Sequence, residues 1–134
     1  MKRSIAVAVL GVAAGFALIG STGAGEDEAK LAKKLRHHEQ VGPPIACVSL
    51  AMLRSNTLIG TSAIVFQGRN FKTLYVNRPE GGCSVLPMGR ALQTETGGSR
   101  LCRGDLVTVW DPVSGVDYGT CPLGDFTVYR RAKS

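Results

Sequence analysis

The chain has little with which to do acid–base chemistry. Among its 134 residues are two histidines, His37 and His38, adjacent in a polar run outside the part expected to fold. Triads of the Ser-His-Asp or Cys-His type need an imidazole held firmly beside the nucleophile, so most hydrolytic mechanisms are excluded. Adjacent helical residues point about 100° apart, so this pair does not share one metal and reads as solvated. Cysteine is absent before Cys47, and Cys47, Cys83, Cys102 and Cys121 form none of the short Cys-x-x-Cys turns that structural zinc sites use. Aromatic residues are sparse, with Trp110 the single tryptophan. Trp110, Tyr75, Tyr118 and Phe126 are expected in the core rather than around a pocket. Gly81-Gly82 and Gly97-Gly98 do not open a helix after a strand, so neither is a phosphate loop. There is no internal repeat, and nothing calls for a cofactor or a metal.

Charge is also absent from one long stretch, Ser4 to Gly25. That stretch follows the basic start Met1-Lys2-Arg3, and its core from Ile5 to Ile19 is apolar and rich in small residues. A basic start, an apolar run and small residues after it are the parts of a secretory signal peptide. Gly20-Ser-Thr-Gly-Ala-Gly25 supplies the small residues, and cleavage after Ala24 puts Thr22 and Ala24 at the two selective positions. The rival is an uncleaved membrane anchor, for which the run approaches a spanning length. Against it, alanine and glycine contribute little insertion energy, and Glu26-Asp-Glu28 follows instead of a second basic flank. A lipid anchor requires a cysteine directly after the apolar run, and none is there.

What remains is one small domain of mild charge. Removing residues 1–24 takes away Lys2 and Arg3 and lowers the net charge from +6 to +4. The arginines are dispersed along the chain and are not interleaved with aromatics, unlike a nucleic-acid-binding stretch. Such a surface suits contact with anionic envelope components and not with nucleic acid.

Residues 25–44 read as a helical or disordered tether. Leu31 and Leu35 share a helical face, acidic residues precede basic ones as the helix dipole favours, and Gly42-Pro43-Pro44 ends the segment. From residue 45 to 134 the pattern is short β-branched runs between turns. Strands are expected at Ile45–Arg54, Ala63–Gln67, Phe71–Val76, Leu106–Trp110 and Phe126–Arg130, with a sixth, irregular one near Ala91–Thr94. Gln67-Gly-Arg-Asn70 and Asp111-Pro-Val-Ser-Gly115 are hairpin turns. Together they predict a mainly β, disulfide-stapled antiparallel sandwich or barrel, preceded by a signal peptide and a short helical tether.

An even number of cysteines in a small exported domain reads as a disulfide framework. The favoured pairs are Cys83–Cys102, pinning the glycine-rich stretch from Gly81 to Arg100, and Cys47–Cys121, tying first strand to last. Cys102–Cys121, across the Asp111-Pro112 turn, is the rival. Each bridge contributes about 2–4 kcal/mol by restricting the unfolded chain.

The carboxylates of the folded part are Glu80, Glu95, Asp105, Asp111, Asp117 and Asp125. A glycosidase faces two of them across a cleft, and spacing discloses no such pair. Asp111 and Asp125 read as turn residues, and Asp105 as a turn cap or salt-bridge partner. Several motifs occur in a familiar order: Cys47-Val-Ser-Leu, Leu53-Arg54-Ser55, Ala63-Ile-Val-Phe66, Tyr75-x-Asn77 and Gly82-Cys83. Leu101-Cys102-x-x-Asp105-x-Val-Thr-Val109 and Gly119-x-Cys121-x-Leu-Gly124-x-Phe126 follow. In these the chain resembles a family of small exported proteins of Gram-negative bacteria, a domain of unknown function. The resemblance implies export and a single domain, and it brings no activity. Where that pattern often has an acidic pair, this chain has Gly60-Thr61-Ser62. The polar residues inside the shared motifs, Arg54, Asn77 and Asp105, are the candidate ligand-binding residues.

The expectation is a non-enzymatic envelope protein that binds another envelope protein or an anionic surface component. It would do so through a sheet face or the glycine-rich loop, with membrane contact only if the N-terminal helix is retained. The alternative is a small hydrolase or inhibitor-like module with convergent carboxylates. Intact-mass measurement of the exported protein should place its N-terminus near Gly25, and a full-length product would contradict the signal-peptide reading.

Overall fold

The structure is a computed structural model that describes residues 24–133; the signal-peptide reading of residues 1–24 falls almost wholly outside them. Its centre is two strands with no polar side. The helix α1 is Ala24–Lys34 and the strands are β1 His38–Gln40, β2 Cys47–Ser49, β3 Leu53–Ile59, β4 Ala63–Gly68 and β5 Thr73–Asn77. They are followed by β6 Ala91–Glu95, β7 Arg100–Cys102, β8 Leu106–Trp110, β9 Asp117–Pro122 and β10 Phe126–Arg131. A five-stranded antiparallel sheet has the order β1-β10-β5-β4-β3, so β5 and β4 lie inside it. Successive strand residues point to opposite faces. Ile64, Phe66 and Tyr75 therefore enter one core while Ala63, Val65, Leu74 and Val76 enter another. Burial on both faces is why β4 and β5 are unbroken apolar runs instead of alternating ones.

The second core is covered by α1. Leu31 is only 3% exposed against Ile59, Val65 and Val76, with Leu35 beside it. Asp27 fixes the helix at its other end. Its carboxylate accepts hydrogen bonds from the Thr61 amide (3.0 Å) and the Ser62 hydroxyl (3.1 Å) in the β3–β4 turn. Gly60 makes this approach possible: it adopts φ +51°, and a Cβ there would overlap the Asp27 carboxylate. Next to it, Arg78 donates to Glu28 across the helix–sheet junction. That hydrogen bond holds the Glu28 carboxyl below its ordinary range and the Arg78 guanidinium above its own. Because the folded carboxyl titrates low, the pair stabilises above the usual carboxylate range and loses this as pH falls through the folded value. Both groups are largely solvated, so the contribution is small.

The span 25–44 is therefore built into the domain instead of being strung ahead of it as a tether. After the helix, β1 adds an edge strand along β10, and Ile45 and Phe126 exchange backbone hydrogen bonds of 2.8 Å. The chain then leaves the large sheet to form β2, paired with β7. This two-stranded sheet and the three-stranded sheet β6-β8-β9 form the opposite wall. Val48, Leu86, Leu101, Val107, Val109, Leu123 and Phe126 close the main core between the walls. The expected mainly β, disulfide-stapled antiparallel sandwich or barrel is met by a fold of packed antiparallel sheets.

The disulfide connectivity is the third one: Cys47–Cys102 and Cys83–Cys121. Neither expected pair forms, and neither does the rival. Antiparallel pairing of β2 with β7 places Cys47 directly opposite Cys102. Cys121 lies opposite Val107 on β9, and its bridge holds Cys83 at 5.8 Å between α-carbons. The Asp111-Pro-Val-Ser-Gly115 turn does reverse the chain, but between β8 and β9, and Cys102 precedes β8. Two intramolecular disulfides belong to an oxidising, non-cytoplasmic setting.

Two strand expectations also change. Ile45–Arg54 is not one strand: a 3-10 turn at Leu50–Met52 passes the chain from β2 in one wall to β3 in the other. Residues 55–59 continue β3, although Ser55-Asn56-Thr57 are polar, because β3 is an edge strand with those positions exposed. Strand β5 begins at Thr73, leaving Phe71 in the turn. The irregular strand near Ala91–Thr94 is present as β6.

Asn77 is wholly buried and clamps the segment before β10. Its amide donates to the Gly124 carbonyl (2.7 Å) and accepts from the Gly124 N–H (2.9 Å). At Gly124 a Cβ would sit 2.2 Å from the Arg78 carbonyl oxygen, so only glycine fits this approach. Asn77→Ala strands both Gly124 groups and should cost about 2–4 kcal/mol in urea unfolding with an unchanged slope. A loss below about 0.5 kcal/mol, the range of ordinary surface changes, would contradict the clamp.

Candidate functional site: the basic end of the large sheet

Antiparallel order decides which residues meet at each end of the five-stranded sheet. One end collects the start of β3, the end of β4, the start of β5, the end of β10 and the start of β1. Arg54, Arg69, Lys72, Arg130, Arg131 and His38 stand at these strand ends and in the β4–β5 turn. Helix α1 ends in Lys33 and Lys34, and Arg36 and His37 after it line a depression together with His38 and Arg131. Lys133 follows β10. Glu39, opposite Arg130, is the one carboxylate in this group. At about 4.8 Å between strands the row spans roughly 20 Å. Residues dispersed along the sequence thus form one cationic rim.

The surface there is open rather than enclosed. A depression of about 430 Å³ is lined by Leu53, Arg54, Arg69 and Phe71. Others of about 460, 600 and 310 Å³ adjoin one another around Arg131, Ala132 and Lys133. Their further lining includes Arg36, His37, His38, Lys72 and Arg130.

The β4–β5 turn at the middle of this rim is tightly specified. The Asn70 side chain accepts hydrogen bonds from the Lys72 and Thr73 amides, each 3.0 Å, and donates to the Thr73 hydroxyl. The Phe71 amide donates to the Gly68 carbonyl. These bonds hold Phe71 at φ +59° with its side chain 58% exposed. The Arg54 guanidinium lies over the ring at 4.2 Å from its centroid. Among the described residues only Phe71 and His37 (φ +74°) are non-glycine residues with positive φ, and both belong to this end. Such strain, of order 1–3 kcal/mol, concentrates at functional sites.

The candidate residues named from the motifs separate. Arg54 lies on the rim, with its guanidinium against Phe71 and no carboxylate in the depressions beside it. Asn77 stands at the opposite end of β5 and is spent on Gly124. Asp105 accepts from the Cys102 amide (2.7 Å), while its carbonyl receives the Leu123 amide. Asn77 and Asp105 thus brace the Leu123–Gly124 segment from two sides. Among the other carboxylates, Asp111 accepts from the Val113 and Ser114 amides and Asp117 from that of Gly119. Asp125 is 3.4 Å from Arg103 in an ion pair. No group of three metal-ligating side chains occurs among the described residues. Tyr75 and Phe126 are in the core as expected, whereas Trp110 and Tyr118 are half-buried at β8 and β9.

The rim escaped the motif reading because Arg69, Lys72, Arg130, Arg131 and Lys133 belong to no motif. Their one signal is position: each stands within two residues of a strand end in a hairpin-rich chain. Comparison with protein-family models, with curated proteins and with solved structures finds no match to this chain.

Proposed function

We propose that this is an exported envelope protein, periplasmic or secreted, that acts as a non-enzymatic binding module for an anionic surface component. The signal-peptide pattern and the resemblance to small exported Gram-negative proteins support export, and the disulfides agree with an oxidising destination. One observation carries the binding reading: the strand ends of one sheet and its central turn present cations, with Glu39 the single carboxylate among them. Clustered charge of one sign raises the local concentration of an anionic partner and speeds its encounter. The open depressions suit a surface or polymer better than a small enclosed ligand.

The hydrolase alternative finds less support. Asp105, Asp111, Asp117 and Asp125 are each engaged in turn hydrogen bonds or an ion pair, and no carboxylate lines the depressions at Arg54.

Capture from envelope extract tests the reading. The exported protein should retain an anionic component at low salt and release it as salt shortens the screening length. The double variant Arg130→Glu, Arg131→Glu alters two exposed side chains and should weaken retention by roughly tenfold or more, at about 1 kcal/mol per charge. Capture that resists salt and survives the double reversal would overturn the proposal, as would no retention at all.

A further inference from the structure

Resting on the anion-binding reading, we infer that the partner is the anionic phospholipid bilayer, met end-on by the β4–β5 turn. The observation that points past charge alone is the placement of apolar side chains in the rim. Phe71 is 58% exposed and Met52 is 50% exposed. They belong to one structure, because the Met52 carbonyl accepts the Arg69 amide (2.9 Å) and Arg54 stacks on the Phe71 ring. Two apolar side chains among cations add nothing to capture of a soluble polyanion. They are what an interfacial contact uses, with the apolar part entering the headgroup boundary and the cations meeting phosphate.

The backbone argues the same way. A left-handed phenylalanine is costly, and glycine or asparagine would occupy that position without strain. Asn70 instead holds the turn in this conformation, with the ring exposed. The ring makes no contribution to either core. Arg54 covers one ring face, its guanidinium 4.2 Å from the centroid, so a cation accompanies the exposed ring. The strand ends lie in a row, with Arg69 and Lys72 in the turn itself and Arg130 opposite Thr73 on the neighbouring strand. No helix among the described residues is long and apolar enough to cross a membrane. The contact inferred is peripheral and reversible, made of one shallow aromatic anchor and a cationic ring.

The experiment is co-sedimentation of the purified exported protein with vesicles of phosphatidylglycerol mixed with phosphatidylcholine, against pure phosphatidylcholine and against soluble polyphosphate. Of the two vesicle types only the anionic one should bind the protein, and polyphosphate should bind through the cations alone. Phe71→Asn removes the anchor at a position asparagine tolerates, so the variant should be at least as stable as the parent. It should bind the vesicles roughly tenfold or more weakly while keeping its affinity for polyphosphate. Arg130→Glu should weaken both. Phe71→Trp should show a blue shift of emission on adding the anionic vesicles and none with polyphosphate. Equal vesicle binding by Phe71→Asn and its parent would overturn the bilayer inference. So would tight polyphosphate binding with no vesicle binding, which leaves the anion-binding reading standing. Binding to neither probe overturns both.

Discussion

Burial of β4 and β5 on both faces is the constraint on which the remaining structure depends. A two-sided apolar strand pair requires cover above and below, and a domain of this size has little chain to supply it. One side is closed by the β2–β7 and β6-β8-β9 wall, with the Cys47–Cys102 bridge inside the first pair and the Cys83–Cys121 bridge tying β9 to the segment after β5. The other is closed by α1, seated through Leu31 and fixed by the Asp27 carboxylate on the Gly60-Thr61-Ser62 turn. Removing the helix would expose Val65, Leu74 and Val76 to water, which is why the segment before the β region belongs to the fold.

The same arrangement produces the charge distribution. Helix α1 starts at the β3–β4 turn, where Asp27 and Glu28 meet Thr61, Ser62 and Arg78, and runs along the sheet. Its basic last turn leads into Arg36 and His37, and the His37 carbonyl accepts the Ala132 amide just past β10. The acidic first turn and basic last turn complement the helix dipole, and the docking direction carries the basic end away from the β3–β4 turn. It also segregates charge, with carboxylates engaged at one end of the sheet and cations gathered at the other. A structural requirement and the cationic rim therefore share one cause.

Much of the fold was legible because its signals are local. Gln67-Gly-Arg-Asn70 and Asp111-Pro-Val-Ser-Gly115 carry turn chemistry, so the β4–β5 and β8–β9 hairpins follow from neighbouring residues. The disulfide pairing was not legible, because the β2–β7 contact joins strands far apart in sequence, and β2 and β7 are only three residues each. The outer part of β3 was hidden by its polarity, as an edge strand needs no apolar side there. The site was harder still. Arg54 stands out within its motif, but the partners that make it part of a rim are single cations at the ends of other strands. Only the strand order brings them together. Asn77 and Asp105, equally prominent by motif, turn out to hold Leu123 and Gly124 in place.

The central claim is that cations converge at one end of the large sheet to meet an anion. Mapping backbone amide shifts during titration with soluble polyphosphate tests it most directly. The account predicts that the largest shifts fall on Arg54, Arg69 to Lys72, Arg130 and Arg131, and fade with added salt. Shifts centred on Gly60 to Ser62, Arg78 and Asp125 at the far end, or spread evenly over the domain, would contradict it.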